Sequence, residues 1–349
     1  MASIRCHTVP QFYLNYFLQP GSRLLWVYDK KDADVRPQPP VNTTVIGDYY
    51  LSAPDDKGTK DRRAEEFLSI IEGWAKPALD WIINHPDSLS KVNKDFLAMF
   101  IAFTYCRSPR SVQAIKEMDE AGLDYVLEQV KEVAKDSVES RKLYEKFSQK
   151  EDKDPRLTYD EFLQVISDPK KGVYVEVNEK HAIGESLLFA EVFHRKIVDL
   201  DWHVRIATKE HFFITSDAPV TIFTPLPNNQ VIFGGGLGLP TVQLTFPLSP
   251  KVCLHLDRNP IGSVERAGAS YINEINCRSV YMAERFVISP FCSNRIKKFV
   301  EKYSATYKAP KINAEEIINM FKKRGFDLRD KLREGFKESL ERCEQDVHL

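Results

Sequence analysis

Trp202-His203-Val204-Arg205-Ile206-Ala207 opens the stretch that decides the fold. His211 to Thr215, Val220 to Phe223, Gln230 to Phe233, Thr241 to Phe246 and Lys251 to Leu256 follow it. Each reads as a short β segment, and Pro, Asn and Gly turns separate them. Gly234-Gly235-Gly236-Leu237-Gly238 lies between two of these segments. No Gly-Lys-Ser/Thr follows it and no helix begins there. It reads as a turn or flexible loop, not as a phosphate cradle.

Upstream the pattern is helical. Phe67, Ile70, Ile71 and Trp74 fall at helical spacing, and Leu79 and Ile82 resume the stripe after Pro77. Asn93 to Cys106 is strongly apolar and is expected to form a buried helix, which Arg107-Ser108-Pro109-Arg110 either ends or bends. Ser111 to Phe147 reads as a long charged helix with a break at Gly122. Gln149 to Pro155 reads as a charged linker. Thr158 is an N-cap for a helix over Tyr159 to Ile166. Asn178 to Leu200 is a further helix, with Ile183, Leu187, Ala190, Val192 and Phe193 expected to face inward.

At the N-terminal end, Leu24 to Tyr28 and Thr43 to Tyr50 read as strands, with Arg36 to Pro40 a loop between them. Val9 to Leu14 is either a short strand or a short helix with Pro10 in its first turn. Beyond the β-rich stretch, Val264 to Tyr281 reads as helix and Arg285 to Ser289 as a strand. Asn294 to Ser304 and Ala314 to Cys343 read as charged helical ends.

The order β, α, β, α predicts an α+β fold with a mainly antiparallel sheet, not a doubly wound parallel one. The N-terminal strands have only each other as neighbours in sequence. They are therefore expected to join the strands of residues 202–289 in one sheet, packed with a long helical insertion and C-terminal helices. Residues 1–300 are expected to form a single α+β domain whose helical section covers residues 62–200. Residues 301–349 would be a charged C-terminal helical extension.

Composition narrows the class. Apolar residues make up 43% of the 349 and charged residues 28%, which excludes a disordered chain. A net charge of −1 gives no bulk excess for phosphate neutralisation along nucleic acid. Six cysteines (Cys6, Cys106, Cys253, Cys277, Cys292 and Cys343) form no CxxC and read as free thiols in a reducing cytosol. Cys106, beside Arg107, reads as a buried structural thiol. No basic segment leads into an apolar one at the start, and the longest apolar run, Phe96 to Phe103, is far shorter than the ~20 residues of a membrane span. A cytoplasmic protein without a membrane partner is expected.

Metal and nucleophile motifs are weak. His181 and Glu185 share a helix face, as do Glu191 and His194, but in so charged a helix they read as a solvated face. His203 and His211 have no ligand spacing between them. No metal and no cofactor is expected, and no Gly-x-Ser-x-Gly elbow is present. What stands out is a set of polar residues in apolar or rigid surroundings: His7, Gln11, Arg107, Ser216, Asp217, Asn273 and Asn276. Such groups are hydrogen-bonded or they cost free energy. A scaffold role would have Asp217 bond the amides of a turn and Arg107 pair with Asp217.

His7-Thr8-Val9-Pro10-Gln11-Phe12-Tyr13-Leu14, Asp48-Tyr49-Tyr50, Ile71-Glu72, Phe100-Ile101-Ala102, Arg107-Ser108-Pro109 and Phe213-Ile214-Thr215-Ser216-Asp217-Ala218-Pro219-Val220 occur in this order. Phe246-Pro247-Leu248-Ser249-Pro250, Asn273, Asn276 and Ala283-Glu284-Arg285-Phe286-Val287 follow. Over residues 7–290 the chain resembles the family catalogued as domain of unknown function 4238. The resemblance implies a shared fold and a shared site drawn from His7, Gln11, Glu72, Arg107, Ser216, Asp217, Asn273 and Asn276. It carries no reaction. This chain departs from the family pattern at Tyr105, where glutamine is frequent, and at Ala218, where asparagine is frequent.

Histidine, arginine, aspartate and asparagine together suit binding and proton transfer. The expectation is a metal-independent, hydrolase-like enzyme acting on a nucleotide or nucleic-acid substrate. His7 and Asp217 would be catalytic. Gln11, Arg107, Ser216, Asn273 and Asn276 would bind substrate. One alternative is a non-catalytic module that binds or senses a small anion or nucleotide, with a protein partner that the sequence does not specify. Another is a buried network that only specifies the fold.

Overall fold

The computed structural model describes residues 3–51, 60–149, 158–168, 178–208, 210–226, 231–260 and 264–304. The helix expected over Ala314 to Cys343 lies outside these residues, as does the linker beyond Gln149. The elements run β1 (Arg5–His7), α1 (Gln11–Asn15), β2 (Leu25–Asp29), β3 (Val35–Gln38), β4 (Val45–Gly47), α2 (Arg63–Asn84), α3 (Lys94–Cys106), α4 (Pro109–Ala134), α5 (Ser137–Gln149), α6 (Tyr159–Ser167) and α7 (Glu179–Val198). Next come β5 (Asp201–Ala207), β6 (Thr215–Ser216), β7 (Thr221–Pro225), β8 (Val231–Phe233), β9 (Gln243–Pro247), β10 (Val252–Asp257), β11 (Val264–Ala267), α8 (Ala269–Met282), β12 (Phe286–Ser289) and α9 (Asn294–Ser304). The fold is α+β, and among the described residues every strand pair is antiparallel except β11 with β5.

The described strands form three sheets where one was expected. Six pair in the order β11-β5-β10-β9-β7-β8, four in the order β3-β2-β12-β6, and β1 pairs with β4. The N-terminal strands do meet the late ones, through β2 against β12, with Val27 opposite Ile288. Several local expectations change. Val35–Gln38 is a strand despite Pro37, because it lies at a sheet edge where the missing N–H interrupts no ladder. The strand expected over Thr43 to Tyr50 shrinks to three residues, because Thr44 and Asp48 take φ values of 56° and 55° and bend the chain at both ends. Val264–Ala267 is a strand beside β5, and Gly268 separates it from α8. The long charged helix breaks at Lys135–Asp136, not at Gly122, because Asp136 Oδ1 accepts from Val138 N and Glu139 N and starts α5. Val192 is 55% exposed, whereas Ile183 and Ala190 are buried as expected.

The chain divides into two compact units, Met1–Ile115 with Asn178–Ala309, and Lys116–Val177 with Pro310–Leu349. In the second, α5 and α6 pack through Tyr144 against Tyr159 and Phe162. Thr158 and Glu161 close a capping box at the start of α6.

In the first unit, the six-stranded sheet is two-faced. Trp202, Val204, Leu244, Phe246, Val252, Leu254 and Leu256 alternate onto one face and join the main core with α1, α2 and α3. The side chains between them form a polar face. The register sets His203 opposite His255, His255 opposite Thr245 and Thr245 opposite Thr221. Ile272 and Ile275 of α8 pack on this side with Cys253. Tyr13, fully buried, ties α1 to the sheets: its hydroxyl donates to Pro247 O (2.6 Å) and meets Thr215 Oγ1 (2.7 Å), and its ring stacks on Phe246.

Candidate active site

The chain turns sharply between α3 and α4, and the Arg-Ser-Pro sequence is fitted to that turn. Arg107 caps the C-terminus of α3. Ser108 Oγ accepts from Ser111 N (3.2 Å), as an N-cap does, and Pro109 opens α4, where its missing N–H costs nothing. This turn holds the Arg107 side chain at 2% exposure. Its Nη1 donates to Glu72 Oε1 at 2.8 Å, and Glu72 projects from α2. The partner of Arg107 is therefore Glu72, not Asp217. Arg107 Nε is buried and has no hydrogen-bond partner among the described residues.

His7 comes to the same place from β1. Its Nε2 lies 3.2 Å from Val41 O. A carbonyl only accepts, so Nε2 carries the proton and Nδ1 presents a lone pair. Burial pulls the imidazole below its usual 6.5, and the charges of Glu72 and Arg107 also act on it. His7 is thus neutral at pH 7. The neighbouring strand β4 begins just after Thr44, whose left-handed backbone is a costly conformation for a β-branched residue. Thr44 O receives Thr8 N at 3.0 Å, which fixes the exit from β1 beside His7.

Glu65, in the first turn of α2, completes the group. Burial raises its carboxyl above the ordinary range; Arg107 opposes this and the charge of Glu72 adds to it. Its Oε2 is buried without a partner among the described residues. Glu72 is thus held in an ion pair with Arg107, while Glu65 is desolvated and feels the charges of both. Nothing in the sequence singled out Glu65. Its closeness to Glu72 follows from two helical turns of α2, a spacing that many surface helices share.

The other expected site residues lie in different settings. Gln11 is exposed at the first position of α1. Ser216 is buried, and its Oγ accepts from Ala218 N (3.1 Å). Asp217, 4% exposed, accepts from Glu284 N, Arg285 N and Phe286 N at 2.8–2.9 Å. Burial pushes its pKa up to about 6, while the three amides and the charge of Lys30 hold it down. Lys30 itself donates to Val280 O and Ala283 O at the end of α8. Asp217 therefore clamps the turn between α8 and β12. Asn276 bridges backbone: its Oδ1 accepts from Ile214 N and its Nδ2 donates to Phe212 O, both at 3.0 Å. Asn273 and Asn276 line a cleft of about 840 Å³ that shares no lining residue with the His7 group.

The helix pairs considered for metal have side-chain partners. His181 Nε2 lies 3.4 Å from Glu185 Oε1. His194 Nε2 lies 3.0 Å from Asp95 Oδ1, and Glu191 pairs with Arg195. A further polar set escaped the sequence reading. Asp257 receives His203 Nε2 (3.0 Å) and lies 3.3 Å from His255 Nε2, while His255 Nδ1 meets Tyr271 Oη at 2.7 Å. Burial lowers His255 to about 4, so it stays neutral and takes the tyrosine proton as a hydrogen bond. These bonds tie β5, β10 and α8 together.

A family model described as "Protein of unknown function (DUF4238)" matches residues 5–290. The chain belongs to that family. The match takes in both β1, with His7, and the late strands through β12. No curated protein and no solved structure matches the chain. The family description names no reaction, so function rests on the geometry of this site. Among the described residues, no helix is long and apolar enough to cross a membrane.

Proposed function

We propose that this member of the family is an acid–base hydrolase acting on an anionic, nucleotide-class phosphoester, with its site at His7, Glu65, Glu72 and Arg107. The reading is carried by the Glu72–Arg107 ion pair, from α2 and the end of α3, lying near enough to His7 of β1 for both charges to act on its imidazole. A buried guanidinium with an unfilled Nε is suited to a phosphate oxygen. Glu72 holds the guanidinium in place.

His7 Nδ1 takes a proton from water, and the water oxygen bonds to phosphorus. The bond from phosphorus to the leaving oxygen breaks, and that oxygen takes the proton of the Glu65 carboxyl. The step leaves an imidazolium and a carboxylate, and exchange with solvent returns both to their starting forms. A positioned acid or base of this kind contributes about 10²–10⁴-fold in rate.

The test is hydrolysis of mononucleotides, short oligonucleotides and bis(p-nitrophenyl) phosphate by the purified chain and by His7→Ala and Glu65→Gln. Turnover by the wild type and a loss of about a hundred-fold or more in both variants is expected. Nucleotide binding without turnover would instead favour a sensing module. Turnover that survives His7→Ala would contradict this site.

A further inference from the structure

We propose that the 840 Å³ cleft beside Asn273 and Asn276 binds an amphipathic organic carboxylate, with its acyl or aryl body inside and its charge at the rim. This inference does not rest on the reading of the His7 site. The volume is in the range of cavities that enclose a medium-sized organic ligand. Phe212, Ile272, Phe291 and Phe299 line it, and Phe212 meets Phe291 edge to face at 5.1 Å.

The walls are held from behind by hydrogen bonds. Asn276 spends both ends of its amide on Phe212 O and Ile214 N. Tyr28 Oη donates to Phe291 O and accepts from Ser293 N, each at 3.0 Å. Gln19 Nε2 donates to Pro290 O at 2.8 Å. A cleft fixed in this way loses little freedom when a ligand enters.

The lining charges favour an anion. Lys251 and Arg295 are cationic, and Glu210 is the acidic residue among the lining side chains. Lys251 Nζ is fixed in place by His211 O at 2.8 Å. Arg295 and Asn273 are exposed at the cleft, open to a ligand's polar group. An apolar interior with a cationic mouth suits one negative group on an apolar body. Free phosphate would leave the phenylalanine walls wet.

The test is calorimetry of the full chain with dodecanoate, dodecanol and inorganic phosphate. Dodecanoate is expected to bind, dodecanol about ten-fold more weakly, and phosphate alone not at all. Arg295→Glu should weaken dodecanoate about ten-fold and leave dodecanol unchanged. Asn273→Trp, at an exposed helical position, should abolish binding of both while the thermal melt is preserved. Equal affinity for acid and alcohol, no binding of dodecanoate, or binding untouched by Asn273→Trp would each overturn the proposal.

Discussion

Asp217 and His7 are both polar residues in rigid surroundings, and their neighbours give them different tasks. Asp217 has both oxygens committed to three backbone amides, so Asp217→Asn removes an acceptor that its –NH₂ cannot replace. We expect a loss of about 2–3 kcal/mol in urea denaturation. Its pH dependence has a definite sign. The folded pKa, about 6, lies above the ordinary 3.8, so the native state binds the proton more tightly than the unfolded chain. That stabilisation is fully present below pH 3.8 and is lost as pH rises through about 6. The stability advantage of wild type over Asp217→Asn should therefore shrink over that window. A flat or rising difference would contradict the assignment. For His7 the sign concerns rate. A base held below 6.5 should lose turnover as pH drops through its lowered value, and the Glu65 acid should lose it on the high-pH side, giving a bell-shaped profile. The sequence flagged both residues as polar in a rigid setting. It did not separate clamp from base, because that depends on which backbone amides arrive from residues 284–286.

At the scale of elements, the Arg-Ser-Pro turn links fold to site. Ser108→Ala removes the hydroxyl that caps α4 and should cost about 1 kcal/mol in thermal or urea unfolding. It should also weaken any activity, since the same turn seats Arg107. Asn276→Ala leaves Ile214 N and Phe212 O without their side-chain partner and should cost about 2 kcal/mol by the same measurement. A change below a few tenths in either variant would contradict its bracing role. The helices were readable because their stripes are long and their caps explicit, as with Thr158 and Asn178. The short strands were less so. Nothing local in Val264–Ala267 distinguishes a parallel edge strand from the first turn of the helix that follows Gly268. Thr44 and Asp48 carry no glycine to signal the bends that shorten β4.

Across the molecule, the sequence foretold that early and late strands would meet, and β2 against β12 shows where. It did not foretell three sheets, since strand partners are set by packing that no single segment contains. The alternation in β5 and β10 was a usable signal. Asp201, His203 and Arg205, and Cys253, His255 and Asp257, occupy every second position, which marks a sheet with one polar face. The candidate site was half legible. His7, Glu72 and Arg107 lie near one another, while Asp217 and Asn276 brace the sheet and the cleft and Asn273 lines the cleft, exposed.

The central claim is that proximity, and the titration of His7 tests it most directly without a substrate. Proton NMR of the folded chain should give a His7 pKa below 6.5. Glu72→Gln, which removes a neighbouring negative charge, should lower it further, and Arg107→Met, which removes a positive one, should raise it. A His7 that titrates at its ordinary value and ignores both substitutions would show that the three residues do not share a site.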